Sequence, residues 1–264
     1  MPIAEAVRRI KMDGWCVVPG VIPENEVDTV RQRIVETARS DPRGKEGARH
    51  ALRGLINYNQ SLAPYLADDR VLGIVETFFG PYARVSFTTG LVTTPGQERG
   101  NWHSDWPFGQ TQSRHIPAPY ADAVMHLTTI WMLTTFTKEA GGTLLAPGSH
   151  RVPSNPSGDI GIDAFAPYPT EMQATGEAGS VLIFDSRLWH ATAANVSNHT
   201  RVAVVVRYAP WWLNLNPLVP GIFEYERVAE ETGTRPDDVQ LITAETYAAL
   251  PEKVRPLFTH IVER

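Results

Sequence analysis

The sequence predicts one mainly β domain with helices on both sides of it. Segments rich in Val, Thr, Phe and Trp, separated by Gly, Pro and Asn, fill the middle of the chain, as strands and turns do. Apolar residues recur at helical spacing before and after them. The 264 residues are 42% apolar and 20% charged, which suits one large core. We expect a single domain over 1–264, helical over 1–80, with a β core over about 84–212 and a helical tail over about 222–264.

Two longer helices and one short strand are predicted in the first part of the chain. Residues 3–12 and 23–40 have helical apolar spacing, and the second segment starts with Pro23 followed by acidic residues. Between them, the run GWCVVP from 14 to 19 is of β type. The basic stretch around His50 is also expected to be helical.

Four segments are predicted to form the β core. They are ARVSFTTGLVTT from Ala83, VMHLTTIWMLTTFT from Val124, SVLIFDSRLWH from Ser180 and TRVAVVVRYAPWW from Thr200. The stretch 151–179 is rich in Pro, Gly and Ser and is expected to be a long surface excursion. Helical spacing returns after Pro236.

Charge and composition argue against several classes of protein. The formal net charge is -5 and no Lys/Arg run occurs, so we expect no nucleic-acid partner. No signal-peptide pattern and no run of about 18 apolar residues occurs, so we expect a cytoplasmic protein without a membrane partner. The single cysteine, Cys16, excludes an internal disulfide and a metal site built from cysteines.

The stretch NWHSDWPFG, from 101 to 109, places two potential metal ligands among aromatic residues. On a strand, side chains two positions apart share a face, so His103 and Asp105 would converge while Ser104 points away. A His-x-Asp pair also arises often by chance, and its alternative interpretation is purely structural.

His190 is the best candidate for a third ligand. His50 lies in a predicted helical stretch, and most other histidines lie in predicted loops, turns or the tail. His126 lies in a predicted strand and is expected to be a satisfied core histidine. His190 ends an apolar strand from Ser180 to Trp189. A hairpin about Asn195-Val196 would place it opposite Arg201, at one end of the β core.

Two histidines and one carboxylate form the facial triad of non-heme Fe(II) oxygenases, which leaves coordination positions for a co-substrate and O2. The planar, permanently charged guanidinium of Arg201 suits the distal carboxylate of 2-oxoglutarate. The alternative for Arg201 is an ordinary surface or ion-pair arginine.

Several ordered motifs extend this pattern along nearly the whole chain. They are DGWCVVPGVIPENEV, HSDWPF, WMLTTFTKEAGGTLLAPGSHR, RLWHATAAN, Arg201 eleven residues after His190, and ALPEKVRPLF. In this set the sequence resembles the phytanoyl-CoA dioxygenase-like family of Fe(II)/2-oxoglutarate-dependent oxygenases. The resemblance implies a double-stranded β-helix, or jelly roll of the cupin-like kind, with flanking N- and C-terminal α-helices.

The resemblance also implies roles for particular residues. His103, Asp105 and His190 would bind Fe(II), and Arg201 would hold the C5 carboxylate of 2-oxoglutarate. Trp131 occupies the position of a family tryptophan that lines the co-substrate pocket. Related enzymes often carry a serine where this chain has Ala203, so another hydroxyl is expected to assist Arg201. The candidates for that hydroxyl are Thr88, Thr89 and Thr129.

Substrate contacts are expected from the loop after the metal strand and from the strands that face the metal. The candidates are Trp106, Phe108, Gln110, Arg114 and His115 in the loop, and Arg187, Arg207, Trp211 and Trp212 on the strands. Arg207 shares its strand face with Arg201, so it would pair either with a substrate anion or with a structural acid such as Asp185. The aromatic residues serve equally well as core residues.

The leading hypothesis is a non-heme Fe(II)/2-oxoglutarate-dependent dioxygenase that hydroxylates an unactivated C–H bond of a small molecule, using O2 and releasing succinate and CO2. Halogenating relatives lack the carboxylate ligand, and Asp105 therefore favours hydroxylation, although desaturation and ring closure use the same ligands. The alternatives are a cupin-like protein with a different metal and a non-catalytic metal-binding protein. No basic patch for coenzyme A is visible, which favours a compact substrate. The sequence indicates no oligomeric state.

Overall fold

The described part of the computed structural model contains ten strands in two antiparallel sheets. It covers residues 1–41, 44–106, 123–152, 156, 162–213, 221–232 and 241–263. The strands are β1 (Trp15–Val18), β2 (Lys45–Glu46), β3 (Arg49–Arg53), β4 (Arg84–Thr93), β5 (Leu127–Met132), β6 (Leu144–Leu145), β7 (Met172–Gln173), β8 (Val181–Asp185), β9 (His190–Ala191) and β10 (Arg201–Ala209). The large sheet has the order β1-β8-β5-β10-β4-β3-β2, and the small sheet has the order β7-β6-β9.

Helices cover one face of the large sheet. They are α1 (Ile3–Asp13), α2 (Glu24–Ser40), α3 (Leu55–Tyr58) and α4 (Asp69–Phe79), followed near the C-terminus by α5 (Phe223–Thr232) and α6 (Ala244–Ala249). Apolar side chains of α1 to α4 form one buried cluster with the outer face of the sheet. Among the described helices, none combines the length and the apolar character that crossing a membrane requires.

A second apolar core lies between the two sheets. Alternation along β5 decides which side chains enter it: Ile130 and Met132 point into this core, whereas Leu127 and Trp131 point to the helices. Side chains from β8 and β10 join Ile130 and Met132, and Leu145 of the small sheet closes the core from the other side. The interior of the fold is therefore the space between the sheets, and side-chain parity controls access to it.

The mainly β fold with flanking helices confirms the prediction, but the first 80 residues are not purely helical. They add β1 to one edge of the large sheet, and β2 and β3 to the other. The prediction of a helix around His50 is wrong, since His50 lies in β3 opposite Val92 of β4. The physical reason is tertiary: pairing with a neighbouring strand outweighs the weak local preference of RHALR.

The predicted hairpin between His190 and Arg201 is also wrong. The chain leaves β8 at Asp185, where the backbone N–H of Leu188 donates to the Asp185 carbonyl at 2.8 Å. His190 then pairs with Leu145 in the small sheet, whereas Arg201 pairs with Thr93 in the large sheet. The turn after Asp185 moves the chain across the interior, so the two residues belong to opposite sheets.

Gly142, which precedes β6, lies very close to the backbone of Ala174, which follows β7. A Cβ on Gly142 would lie 2.3 Å from the carbonyl oxygen of Ala174, a contact that only a backbone shift relieves. We expect Gly142→Ala to lower the free energy of unfolding by about 1–3 kcal/mol, measured by chemical denaturation. Gly90→Ala in β4 is the control, because its Cβ would meet side-chain atoms at 3.4 Å, an ordinary contact distance. Equal losses in the two variants would contradict this account.

Candidate metal centre

One antiparallel bridge brings the two candidate histidine ligands together. The backbone N–H of His103 donates to the His190 carbonyl at 3.0 Å, and the N–H of His190 donates back at 2.8 Å. Directly opposed residues place their side chains side by side, and the two imidazole rings lie 4.1 Å apart, centre to centre. The segment that carries His103 is thus attached to the small sheet by the same pairing that positions His190.

Each imidazole ring is oriented by a hydrogen bond to the backbone carbonyl of the residue two positions before it. Nδ1 of His103 lies 3.0 Å from the Asn101 carbonyl, and Nδ1 of His190 lies 2.9 Å from the Leu188 carbonyl. A carbonyl only accepts, so each Nδ1 carries the proton and each Nε2 keeps its lone pair for a metal. Burial, together with the neighbouring His103, lowers the pKa of His190 to about 4, so this imidazole is neutral near pH 7.

Asp105 supplies a carboxylate beside the histidines. Its Oδ2 accepts a hydrogen bond from the Thr128 hydroxyl at 2.8 Å, and its Oδ1 accepts one from Nη2 of Arg207 at 2.6 Å. Burial alone would raise the pKa of this carboxyl, but the charge of Arg207 and the Thr128 hydrogen bond hold it well below its usual range. Asp105 is therefore ionised, as a metal ligand must be.

These three side chains form a set that could hold a metal ion. One ligand atom from each of His103, Asp105 and His190 lies within 4.8 Å of the other two. Two imidazoles and one carboxylate are the donors of the facial triad that non-heme Fe(II) uses. The predicted trio thus converges in space, and its donor chemistry fits iron.

A row of side chains across the large sheet contacts the candidate metal ligands. Phe184, Thr128, Arg207 and Phe87 stand in register on β8, β5, β10 and β4. The Phe184 ring lies 4.8 Å from the His190 ring, Thr128 and Arg207 bind Asp105, and Arg207 stacks 4.4 Å above the Phe87 ring. One transverse row of the pleated sheet therefore contacts two of the three candidate ligands.

A chain of hydrogen bonds continues from Asp105 into the interior. The Thr128 hydroxyl lies 2.8 Å from that of Ser186, which lies 2.9 Å from Nδ1 of His126, whose Nε2 lies 2.7 Å from the Ser86 hydroxyl. Because the carboxylate only accepts, the hydroxyls donate in sequence towards it, which assigns the proton of His126 to Nδ1. Burial and the charge of Arg207 lower the pKa of His126 to about 3, consistent with a neutral ring.

Ser86 enters this chain through an irregularity in the sheet. The register between β10 and β4 shifts at Arg207 and Tyr208, so that Ser86 is the extra residue of a β-bulge. The bulge turns its hydroxyl inward to His126. His126 is accordingly a satisfied core histidine, as predicted, but one that is linked to the candidate metal ligand.

Arg201 is a buried cation without a buried counter-ion in the described part of the chain. Only 6% of its surface is exposed, its guanidinium donates to the Gly141 carbonyl, and it lies 5.1 Å from the centre of the Phe136 ring. Burial, reinforced by the charge of Arg49, lowers its pKa to about 10, so it remains protonated near pH 7. A buried guanidinium of this kind favours an anionic ligand.

The positions of Thr88, Thr129 and Trp131 do not agree with a role beside the co-substrate. Thr129 donates to the Val206 carbonyl, and Nε1 of Trp131 donates to Thr129, on the helix side of β5. Thr88 pairs with Val206 and faces the same side. Side-chain parity thus directs all three away from the interior.

The predicted substrate residues are dispersed. Trp106 lies beside the His126 ring at 6.4 Å between centres. Trp211 and Trp212 follow β10 and are 53% and 52% exposed, and Arg187 is bound to Asp185 at 2.9 Å. Arg207 pairs with the candidate ligand Asp105, an acid that the sequence did not propose as its partner. Phe108, Gln110, Arg114 and His115 lie outside the described residues.

Thr128 and Ser186 are the polar residues that sequence reasoning missed. Strand alternation was the available signal. Thr128 shares one face of its strand with Ile130 and Met132, so its polar side chain points into an apolar interior. Thr89, by contrast, was one of three candidate hydroxyls and does lie on the inner face, where it donates to the Leu52 carbonyl at 3.2 Å.

Comparison with known proteins places the chain in a family. The family model for phytanoyl-CoA dioxygenase (PhyH) matches residues 10–203. The chain belongs to the phytanoyl-CoA dioxygenase family. This confirms the resemblance in the sequence motifs. The matched region includes the His103 to Asp105 segment and Arg201, whereas the last motif, ALPEKVRPLF, lies beyond it.

Two curated proteins illustrate the range of this family. The chain is 29% identical over 220 residues to a dioxygenase, af480, of Aspergillus fumigatus, which covers 77% of this chain and 65% of the relative. It is 28% identical over 233 residues to the ectoine dioxygenase of Stutzerimonas stutzeri, covering 75% and 74% of the two chains. This chain thus spans slightly less than two thirds of the length of the fungal relative.

Solved structures confirm the jelly-roll fold. HygX of Streptomyces hygroscopicus, with nickel and 2-oxoglutarate bound, has a TM-score of 0.63 at 20% identity and covers 80% of this chain and 88% of its own. The epimerase SnoN, in complex with Fe3+, alpha ketoglutarate and nogalamycin RO, has a TM-score of 0.62 at 19% identity, with coverage of 79% and 83%. The fold of these solved structures thus agrees with membership of the PhyH family.

Thr128 and Thr129 offer a matched test of the carboxylate support. Thr128→Val removes the hydrogen bond to Asp105, and we expect metal affinity to fall about tenfold, because partners that orient a ligand typically matter at this scale. Thr129→Val loses a hydroxyl of the same size on the opposite face of β5, and metal affinity should stay at the wild-type value. Anaerobic titration with Fe(II) measures both. A wild-type affinity in Thr128→Val would show that Asp105 needs no such support.

Proposed function

We propose that this protein is a non-heme Fe(II)/2-oxoglutarate-dependent dioxygenase that hydroxylates an unactivated C–H bond of a small organic molecule and forms one domain over 1–264. The observation that carries the proposal is the convergence of His103, Asp105 and His190, with their ligand atoms within 4.8 Å of one another. The buried guanidinium of Arg201 adds a second anchor, for the C5 carboxylate of 2-oxoglutarate.

The side chains have separate tasks in this proposal. His103 and His190 present Nε2 because the Asn101 and Leu188 carbonyls hold their Nδ1 protons. Asp105 contributes the negative ligand, and Thr128 orients it. Bound iron and 2-oxoglutarate would supply the activation of O2, with release of succinate and CO2.

One feature favours hydroxylation, and two features favour a small molecule as the substrate. Asp105 keeps the carboxylate ligand where halogenating relatives have none, so a halide would have no free position in its place. The family also contains the ectoine dioxygenase noted above, whose name states a compact organic substrate. HygX has been solved with hygromycin B and SnoN with nogalamycin RO, both small organic ligands. SnoN is an epimerase, so analysis of the organic product is the measurement that distinguishes hydroxylation from epimerisation.

Formation of succinate tests the reaction class. The purified protein, loaded with Fe(II) and supplied with 2-oxoglutarate and O2, should form succinate slowly even without its organic substrate, as measured by mass spectrometry. His103→Ala and Asp105→Ala should each abolish succinate formation and iron binding. Binding of iron and 2-oxoglutarate without any succinate would favour a non-catalytic metal-binding protein. Strong binding of another metal together with no affinity for 2-oxoglutarate would favour a differently metallated cupin-like protein.

Arg201 separates recognition of the co-substrate from recognition of the metal. Arg201→Gln removes the buried charge, and we expect the apparent Kd of 2-oxoglutarate to rise at least tenfold, since a charge-assisted hydrogen bond contributes about 1.5–3 kcal/mol. Fe(II) affinity should remain at the wild-type value, because no candidate ligand is changed. The absorbance band of the anaerobic iron–oxoglutarate complex measures the Kd. An unchanged Kd would exclude Arg201 as the anchor.

A further inference from the structure

We propose that the organic substrate carries an oxyanion group, such as a carboxylate or phosphate, and that Arg207 binds this group beside the metal centre. The inference rests on the proposed function and adds a substrate class to it. It starts from the position of Arg207 on the inner face of β10, where its guanidinium borders the candidate ligand Asp105.

The guanidinium of Arg207 keeps a donor without a partner in the described part of the chain, and its side chain remains partly exposed. Nη2 binds Oδ1 of Asp105, and the planar group is stacked above the Phe87 ring. Nε is buried and has no hydrogen-bond partner among the described residues. The side chain of Arg207 retains 21% of its exposed surface, compared with 6% for Asp105. An arriving molecule can therefore reach Arg207 more readily than the carboxylate behind it.

The balance of charges in the loaded site favours an anionic substrate. Asp105 is the carboxylate that pairs with Arg207 in the described chain, since Asp185 is bound by Arg187. A divalent metal would neutralise Asp105 and one of the two negative charges of 2-oxoglutarate, and Arg201 would neutralise the other. The positive charge of Arg207 would then lack an equivalent partner in a largely buried site, where an uncompensated charge is costly. A substrate oxyanion restores the balance.

The same geometry predicts where the anion lies relative to the reaction. Arg207 is bonded directly to a metal ligand, so an anion on its remaining donors would lie next to the metal. Arg201 pairs with Thr93 at the opposite end of β10, whereas Arg207 pairs with Phe87. The two arginines would thus bind two different anions, the co-substrate and the substrate, without competing for one position.

Relaxation of a fluorine probe by a paramagnetic metal tests this inference. The protein is loaded with nickel(II), which prevents turnover, and saturated with 2-oxoglutarate, and 19F NMR compares 4-fluorobenzoate with the neutral 4-fluorobenzamide. We expect the wild type to bind the benzoate close to nickel, seen as enhanced fluorine relaxation, and to bind the amide at least tenfold more weakly. In Arg207→Gln the preference should disappear.

Two further variants control for charge and folding. Arg9→Gln removes an exposed arginine that binds Glu5 within α1, on the helix side of the large sheet, and should retain the wild-type preference. Arg207→Lys keeps the charge beside Asp105 but loses the planar fork, and should retain part of the preference. Thermal melting identifies any variant that does not fold.

The possible outcomes separate this inference from the proposed function. If nickel and 2-oxoglutarate bind but the wild type does not distinguish benzoate from benzamide, the inference is wrong and the proposed function stands. Retention of the full preference in Arg207→Gln overturns it equally. If the protein binds neither nickel nor 2-oxoglutarate, the proposed function fails, and the inference fails with it because Asp105 then remains the counter-ion of Arg207.

Discussion

The carboxylate of Asp105 is the group on which the rest of the centre depends. A buried negative charge is tolerated only when it is paired and hydrogen-bonded, and here Arg207 and Thr128 each bind one of its oxygens. Both come from neighbouring central strands of the large sheet, whereas His190 comes from the small sheet. The carboxylate therefore links the two sheets at the point where the metal ligands converge, and each partner must keep its register.

Backbone pairing between strands maintains the register of the residues around Asp105. The bridge between His103 and His190 ties the first ligand segment to the small sheet, and the row from Phe184 to Phe87 places four supporting side chains at one level of the large sheet. A slip of one residue in β5 would turn Thr128 towards the helices and move Ile130 and Met132 out of the core between the sheets. The same pairings that stabilise the jelly roll thus position its chemistry.

Two arginines on one strand lie in different surroundings. Arg201 and Arg207 share the inner face of β10, but Arg201 lies among Phe136 and the Gly141 turn, while Arg207 lies at Asp105. A guanidinium acts mainly on the anion within reach of its donors. In the proposed function, their separation along one strand would let Arg201 bind the co-substrate anion and Arg207 a substrate anion without competition for one position.

The fold class and the converging trio could be predicted from the sequence, because the apolar patterns, the His-x-Asp pair and the ordered family motifs are visible along the chain. The sequence did not determine which strands lie side by side. Asn195-Val196 indicated a hairpin that would place His190 opposite Arg201, yet the turn after Asp185 carries His190 to the other sheet. Likewise, Thr129 and Trp131 were predicted to line the co-substrate pocket. In the structure both face the helices, and Thr128 is the residue of β5 that binds Asp105. Such outcomes depend on non-local pairing and register, which only the tertiary structure decides.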